Sequence, residues 1–236
     1  MQHGGHVAEL WRYPVKSLQG ERVDALEVAA RGVTGDRRYR LCEPGESAGG
    51  ARLLRPFRGA EALLQLQAES AGESVRIRTP AGDLVDIQAP DAHHSLSAAL
   101  GRRVVLVDDG DAPAIDGPVH LLTTASLRWL QGQLPDAAID VRRFRPNLVL
   151  DVPGEEPLEQ GWLGRRLRVG AAVELRVFDP TERCAVVTHR QGELPGDASV
   201  LRRITQAAGR DFGVYADVVV PGSIRVGDEV TLLARE

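Results

Sequence analysis

The chain has 236 residues, which suits one large domain or two small ones around a sizeable core. Its 43% hydrophobic and 26% charged content is that of an ordinary soluble globular protein, and its net charge of −4 argues against general nucleic-acid binding. No apolar run approaches the ~20 residues of a bilayer span and no charged-then-apolar leader opens the chain, so no membrane association is expected and the expected location is the cytoplasm. Cys42 and Cys184 are far apart with no CxxC pair, which excludes a disulfide framework and the usual zinc or iron–sulfur patterns. Of 29 cationic residues only Lys16 is a lysine. Against that bias toward arginine, a position needing only positive charge would have become arginine, so a compact ammonium matters at residue 16. Any Schiff-base chemistry, such as pyridoxal phosphate attachment, would also have to use Lys16.

Residues 1–6 are polar and expected to fray, and Val7 to Tyr13 is predicted as a short strand closed by Pro14. Val23 to Val28 alternates again, and Arg31-Gly32-Val33-Thr34-Gly35-Asp36 makes a glycine-rich bend into residues 37–41. Residues 44–50 read as a flexible loop, and the runs 75–78 and 84–87 as a hairpin. Asp91 to Leu100 reads as a short helix, Val104 to Val107 as a buried strand, and 108–118 as a mobile loop. Thr123 or Thr124 then caps a helix with Leu127, Leu130 and Leu134 on one face, and its free N–H groups and hydroxyls offer either an anion site or simply a good cap.

Arg145 and Asn147 are two apart, so in extended backbone they point the same way. A guanidinium with an amide can read a phosphate or a polar heterocycle; the alternative is a solvated basic strand edge, which Pro146 favours. Residues 167–175 echo 224–232, suggesting two hairpins of one barrel. Asp197 caps a helix with Val200, Leu201, Ile204 and Ala208 on one stripe, ended by Gly209.

The stretch VFDPTERCAVVTH, residues 177–189, combines a strand-like run, a turn signal at Asp179-Pro180, and Cys184 at the mouth of a second β-branched run over 185–188. Two readings stand for Cys184: a small core hydrophobe, as most cysteines in strands are, or a functional thiol beside the cation of Arg183, which favours the thiolate that bonds metals. On that strand reading His189 falls on the opposite face from Cys184.

Six pieces in order resemble one family, the MOSC-domain proteins, named for the C-terminal domain of molybdenum cofactor sulfurase. ELWRYPVKSLQG and RGVTGDRRYRL are similar to the β-barrel domain that precedes MOSC domains. FRPNLVLD, the W-x-G-x-x-L-x-V-G run from Trp162 to Gly170, the ERC around Cys184 and PGSIRVGDEVTLL resemble the MOSC domain itself, with the amidoxime-reducing component of mitochondria and its bacterial relatives as nearest kin. The resemblance implies a mostly β, α+β fold: a smaller N-terminal β-barrel-like domain over 1–95, then a β-barrel MOSC domain over 96–236 with a few peripheral helices.

It also implies a molybdenum cofactor, a molybdopterin with or without a nucleotide, whose metal takes Cys184 as protein ligand; a soft thiolate suits such a metal. The cofactor contacts would fall on Lys16, Ser17, Arg37, Ser126, Arg145, Asn147 and Arg183. The implied activity is reduction of small N-hydroxylated substrates. Because residues up to Glu236 hold no cluster of four cysteines, the electrons are expected from a separate electron-donor protein. Ala-Val-Val-Thr-His after Cys184 departs from the reductases' usual continuation, and the alternative is a carrier of the cofactor or a sulfur relay holding a persulfide on Cys184.

Overall fold

The computed structural model describes residues 2–44, 52–53, 61–110 and 117–234. Its centre is a closed barrel of seven strands. Passing round it, Leu148–Asp151 is followed by Val119–Thr123, Asp211–Val220, Val173–Glu182, Arg166–Val169, Glu229–Leu232 and Gln2–Arg12, which returns to Leu148–Asp151. Period-2 alternation builds this wall: Leu167, Val169, Val173, Leu175 and Val177 point inward and are fully buried, while Arg168 and Arg176 point out. Closure leaves no free strand edge in the ring.

Among the described residues three α-helices lie around the β structure: α1, Ala92–Leu100; α2, Thr124–Gln133; and α3, Ala198–Ala208. The expected caps are present, with Thr123 accepting from the N–H of Ser126, Asp197 accepting from that of Ser199, and Gly209 in the left-handed conformation. Leu130 of α2 and Val200 and Ile204 of α3 pack with Leu122, Phe144 and Phe212 on the outside of the barrel. That cover explains why every residue of Val119–Thr123 is buried. Among the described residues the N-terminal half adds three small three-stranded sheets, one of them completed by Gly222–Arg225 and another containing the expected hairpin of Ser74–Arg78 and Leu84–Asp86. Around Leu18, Leu41, Leu66, Ile77 and Leu96 it builds a second core.

Several expectations are corrected. The first residues do not fray: Gln2–Arg12 is one strand held between Glu229–Leu232 and Leu148–Asp151. Asp179-Pro180 is not a turn, because the strand Val173–Glu182 runs through it; register shifts on both sides form a bulge that accommodates a residue without an N–H. Ala185–Thr188 is a 3-10 turn, not a strand. The second echo unit is not a hairpin, since Gly222–Arg225 pairs with Ala25–Ala29 while Glu229–Leu232 joins the barrel. The strand after Pro146 is not an edge but is paired on both sides. Val105–Asp108 is a strand whose first three residues are only half-buried. Of the two expected loops, residues 45–50 and 111–116 lie outside the described residues.

Candidate functional site

As the chain leaves the barrel after Arg12, main-chain hydrogen bonds zip residues 13–16 to 36–39. The N–H of Arg37 donates to the carbonyl of Tyr13 at 2.7 Å, that of Tyr39 to Pro14 at 3.0 Å, and that of Lys16 to Tyr39 at 2.7 Å. The Asp36 carboxylate accepts from the N–H of Tyr13 at 2.8 Å. The Tyr-Pro-Val-Lys-Ser and Gly-Asp-Arg-Arg segments are thereby one structural unit. The Phe-Arg-Pro-Asn segment meets it through Asn147, whose carbonyl accepts from Trp11 N–H at 2.9 Å and whose side-chain amide donates to the carbonyl of Trp11 at 3.3 Å. Asn147 Oδ1 also accepts from the N–H of His120 at 3.1 Å, so this buried amide joins three segments.

Four non-glycine residues among those described have positive φ: Ser17 at 71°, Arg37 at 52°, Arg145 at 57° and Arg210 at 91°. The first three are residues singled out from the sequence, and the fourth holds Arg183. Left-handed backbone at residues with a Cβ costs energy and concentrates at functional sites. The strain also overturns the extended geometry expected for Arg145.

Arg37 and Arg145 converge on one aromatic ring. The guanidinium carbons lie 5.0 Å and 4.3 Å from the centroid of Tyr13. Arg37 ion-pairs with Asp36 and donates to the carbonyl of Arg145 at 3.1 Å and to Asn147 Oδ1 at 3.4 Å. Arg145 donates to the carbonyl of Leu18, which ties it to the loop carrying the half-buried Lys16 and Ser17. Arg183, buried, donates to the carbonyl of Phe144 at 2.7 Å, next door to Arg145. Its main-chain N–H donates to the carbonyl of Arg210 at 2.8 Å.

Cys184 follows directly and is exposed, whereas Cys42 is fully buried. The turn after Cys184 is fastened by a residue that sequence reasoning passed over. Fully buried Arg143 donates to the carbonyls of Val187 at 3.4 Å, His189 at 3.5 Å, Pro195 at 2.7 Å and Ala138 at 2.8 Å. His189 is half-buried with Nδ1 3.4 Å from Glu61.

The electrostatics are lopsided. Three guanidiniums, of Arg37, Arg145 and Arg183, interact with the Tyr13 side chain, and Asp36 is the carboxylate among its charged neighbours. Burial pulls Arg145 down to about 10 and also lowers Arg183. Burial opposes the charge on Arg37 too, but the Asp36 carboxylate reverses the balance and raises it. Burial and then the field of Arg183 hold His120 well below its ordinary range, while burial raises Tyr13. Tyr13 Oη and Arg183 Nε are buried without a hydrogen-bond partner among the described residues. Buried donors are ordinarily satisfied, so a cation-rich cluster with such atoms suits an anionic, hydrogen-bonding ligand.

Ser126 is not brought to this cluster. It lies past the far end of Val119–Thr123 from His120, about 10 Å along the strand to Thr123 at the usual rise per residue. Its hydroxyl, fully buried, donates to Glu159 at 2.5 Å, and Thr123 donates to the same carboxylate at 2.7 Å. The buried Glu159, raised by desolvation, thus supplies the hydrogen-bond acceptors at the start of α2. Besides Arg143, sequence reasoning missed Tyr13, Asp36, His120 and Glu159. Tyr13 and Asp36 abut flagged residues, but His120 sits in an apolar strand with no local signal.

No group of three or more His, Cys, Asp or Glu side chains able to hold a metal occurs among the described residues. None of the helices among them is long and apolar enough to cross a membrane. Comparison with known structures finds the YuaD protein of Bacillus subtilis, 13% identical, with a TM-score of 0.53 over 96% of this chain and 93% of that one. A hypothetical protein, 13% identical, gives 0.50 over 99% of this chain and 69% of its own. At such identity these likenesses establish the fold alone. No curated protein matches the sequence. Two family models do: the MOSC domain over residues 91–231 and the MOSC N-terminal beta barrel domain over residues 4–116.

Proposed function

From the premise that the chain belongs to the MOSC-domain family, a family that binds the molybdenum cofactor, we propose that it is a molybdenum-dependent oxidoreductase that reduces small N-hydroxylated compounds. The observation that carries this reading is the exposed Cys184 beside three convergent guanidiniums with one carboxylate among them. The residues fit the cofactor. Arg37, Arg145 and Arg183 would hold its phosphate end, with Lys16 and Ser17 on the adjoining loop. Cys184 would be the single protein ligand to the metal, the other ligands coming from the cofactor itself. When bound, that group supplies the two-electron chemistry. The protein binds and orients it: Arg143 fixes the turn that carries the thiol, and Asn147 fixes the segment that carries Arg145.

The test is protein from cells supplied with molybdate, assayed for metal by mass spectrometry and for reduction of an amidoxime with an artificial electron donor. Stoichiometric molybdenum in the wild type, its loss in Cys184→Ser, and turnover of the amidoxime support the proposal. Full metal content without turnover overturns the reductase reading and leaves a cofactor carrier. The exposure of Cys184 also favours a sulfur relay, for which freshly isolated metal-free protein would carry a persulfide on that residue. A separate electron-donor protein completes the reductase reading.

A further inference from the structure

Arg145 is the most constrained of the three cations. It is left-handed at φ 57°, and its own carbonyl accepts two side-chain hydrogen bonds, from Arg37 at 3.1 Å and from His120 Nδ1 at 3.2 Å. A carbonyl only accepts, so Nδ1 of His120 carries the proton. The other ring nitrogen faces the Asp211–Val220 strand at Gly213, where a Cβ would come within 2.6 Å of Nε2. It has no hydrogen-bond partner among the described residues. Gly213, at φ 87°, therefore makes room for the ring, and the main chain of His120 is itself stapled to Asn147 at both N–H and C=O. His120 is buried.

We infer that His120 is a positioning residue: as the Nδ1–H tautomer it holds the carbonyl of Arg145, and with it the strained turn that aims Arg37 and Arg145 at one anion. The inference deepens the proposed function and rests on its reading of the arginine cluster as an anion site. Neutrality of the ring is part of the device, because a charged imidazolium would add a fourth cation beside three guanidiniums, and burial already disfavours it.

Two isosteres separate positioning from mere packing. Asparagine puts an amide donor where imidazole carries Nδ1, and glutamine puts it where imidazole carries Nε2. Inorganic phosphate binding to metal-free protein, measured by calorimetry, is expected to stay within about threefold of wild type in His120→Asn and to weaken roughly tenfold in His120→Gln. Equal affinities in His120→Gln and wild type, or equal losses in both variants, overturn the inference while leaving the anion site standing. Failure of wild type itself to bind phosphate removes the anion site and the inference together. The ring tautomer, read by long-range proton–nitrogen NMR on wild type, needs no variant: a proton on Nδ1 alone at neutral pH supports the inference, and one on Nε2 refutes it even if His120→Gln fails to fold.

Discussion

The guanidinium of Arg37 donates to the main-chain carbonyl of Arg145 at 3.1 Å, across 108 positions of sequence. Through this bond the N-terminal half of the chain and the segment before Leu148–Asp151 share one cationic cluster, and each side helps fix the other's left-handed residue. Removing one member should therefore disturb both sides. Arg145→Ala is expected to abolish retention of molybdenum through purification and to weaken phosphate binding by at least about tenfold, since charged hydrogen bonds contribute about 1.5–3 kcal/mol each. Ser126→Ala should retain the metal at the wild-type level, because that hydroxyl is committed to Glu159. Metal analysis of the two purified variants checks both statements.

The two thiols should differ sharply in accessibility. In native metal-free protein a thiol reagent is expected to titrate one cysteine, Cys184, and to reach Cys42 only after denaturant is added. Cys184→Ser should eliminate the native reaction. A native titre of two would mean that Cys42 is not sealed in the structure as described.

Arg143 satisfies four carbonyls around the turn that follows Cys184. Its replacement by methionine should lower unfolding stability by about 3 kcal/mol, because buried carbonyls lose charged donors. It should also slow metal uptake by loosening the thiol's support. Denaturant titration of metal-free protein gives the first quantity, and reconstitution kinetics give the second.

Stability should depend on pH through His120. Its folded pKa lies well below the ordinary value near 6.5, with burial the first cause, so the unfolded chain takes up a proton there before the folded one does. The contribution is intact above about pH 6.5 and falls by up to about 1.4 kcal/mol per unit as pH drops below that. His120→Asn should flatten this slope between about pH 6.5 and 5.5 in urea titrations. An unchanged slope would show that His120 titrates normally.

Glu159 offers a control at the start of α2. Glu159→Gln keeps partners for Thr123 and Ser126 and removes a buried ionisable group, so stability should change by less than about 1 kcal/mol. Glu159→Ala leaves both hydroxyls to each other and opens a void, and should cost about 2–4 kcal/mol. The two midpoints in one denaturant series decide the matter.

The sequence by itself determined what local physics controls. Alternation marked the strands around Leu167 and Val173, and Asp197 and Gly209 marked the ends of α3, whereas Lys16, Arg37, Arg145 and Cys184 were grouped as a set only by the resemblance of their motifs to one family. Only the tertiary structure decided how they combine. Val7 onward was legible as strand, but the polar opening of Gln2–Arg12 was hidden, because its pairing partners lie more than a hundred residues away. Pro180 reads locally as a break, yet a bulge lets the strand continue. A good cap and an anion site share one sequence signature at Thr123, and a distant carboxylate, Glu159, is what fills that helix start. His120 carries no local signature, since its role rests on one carbonyl 25 residues on and a missing Cβ 93 residues on, and such contacts exist only once the barrel has closed.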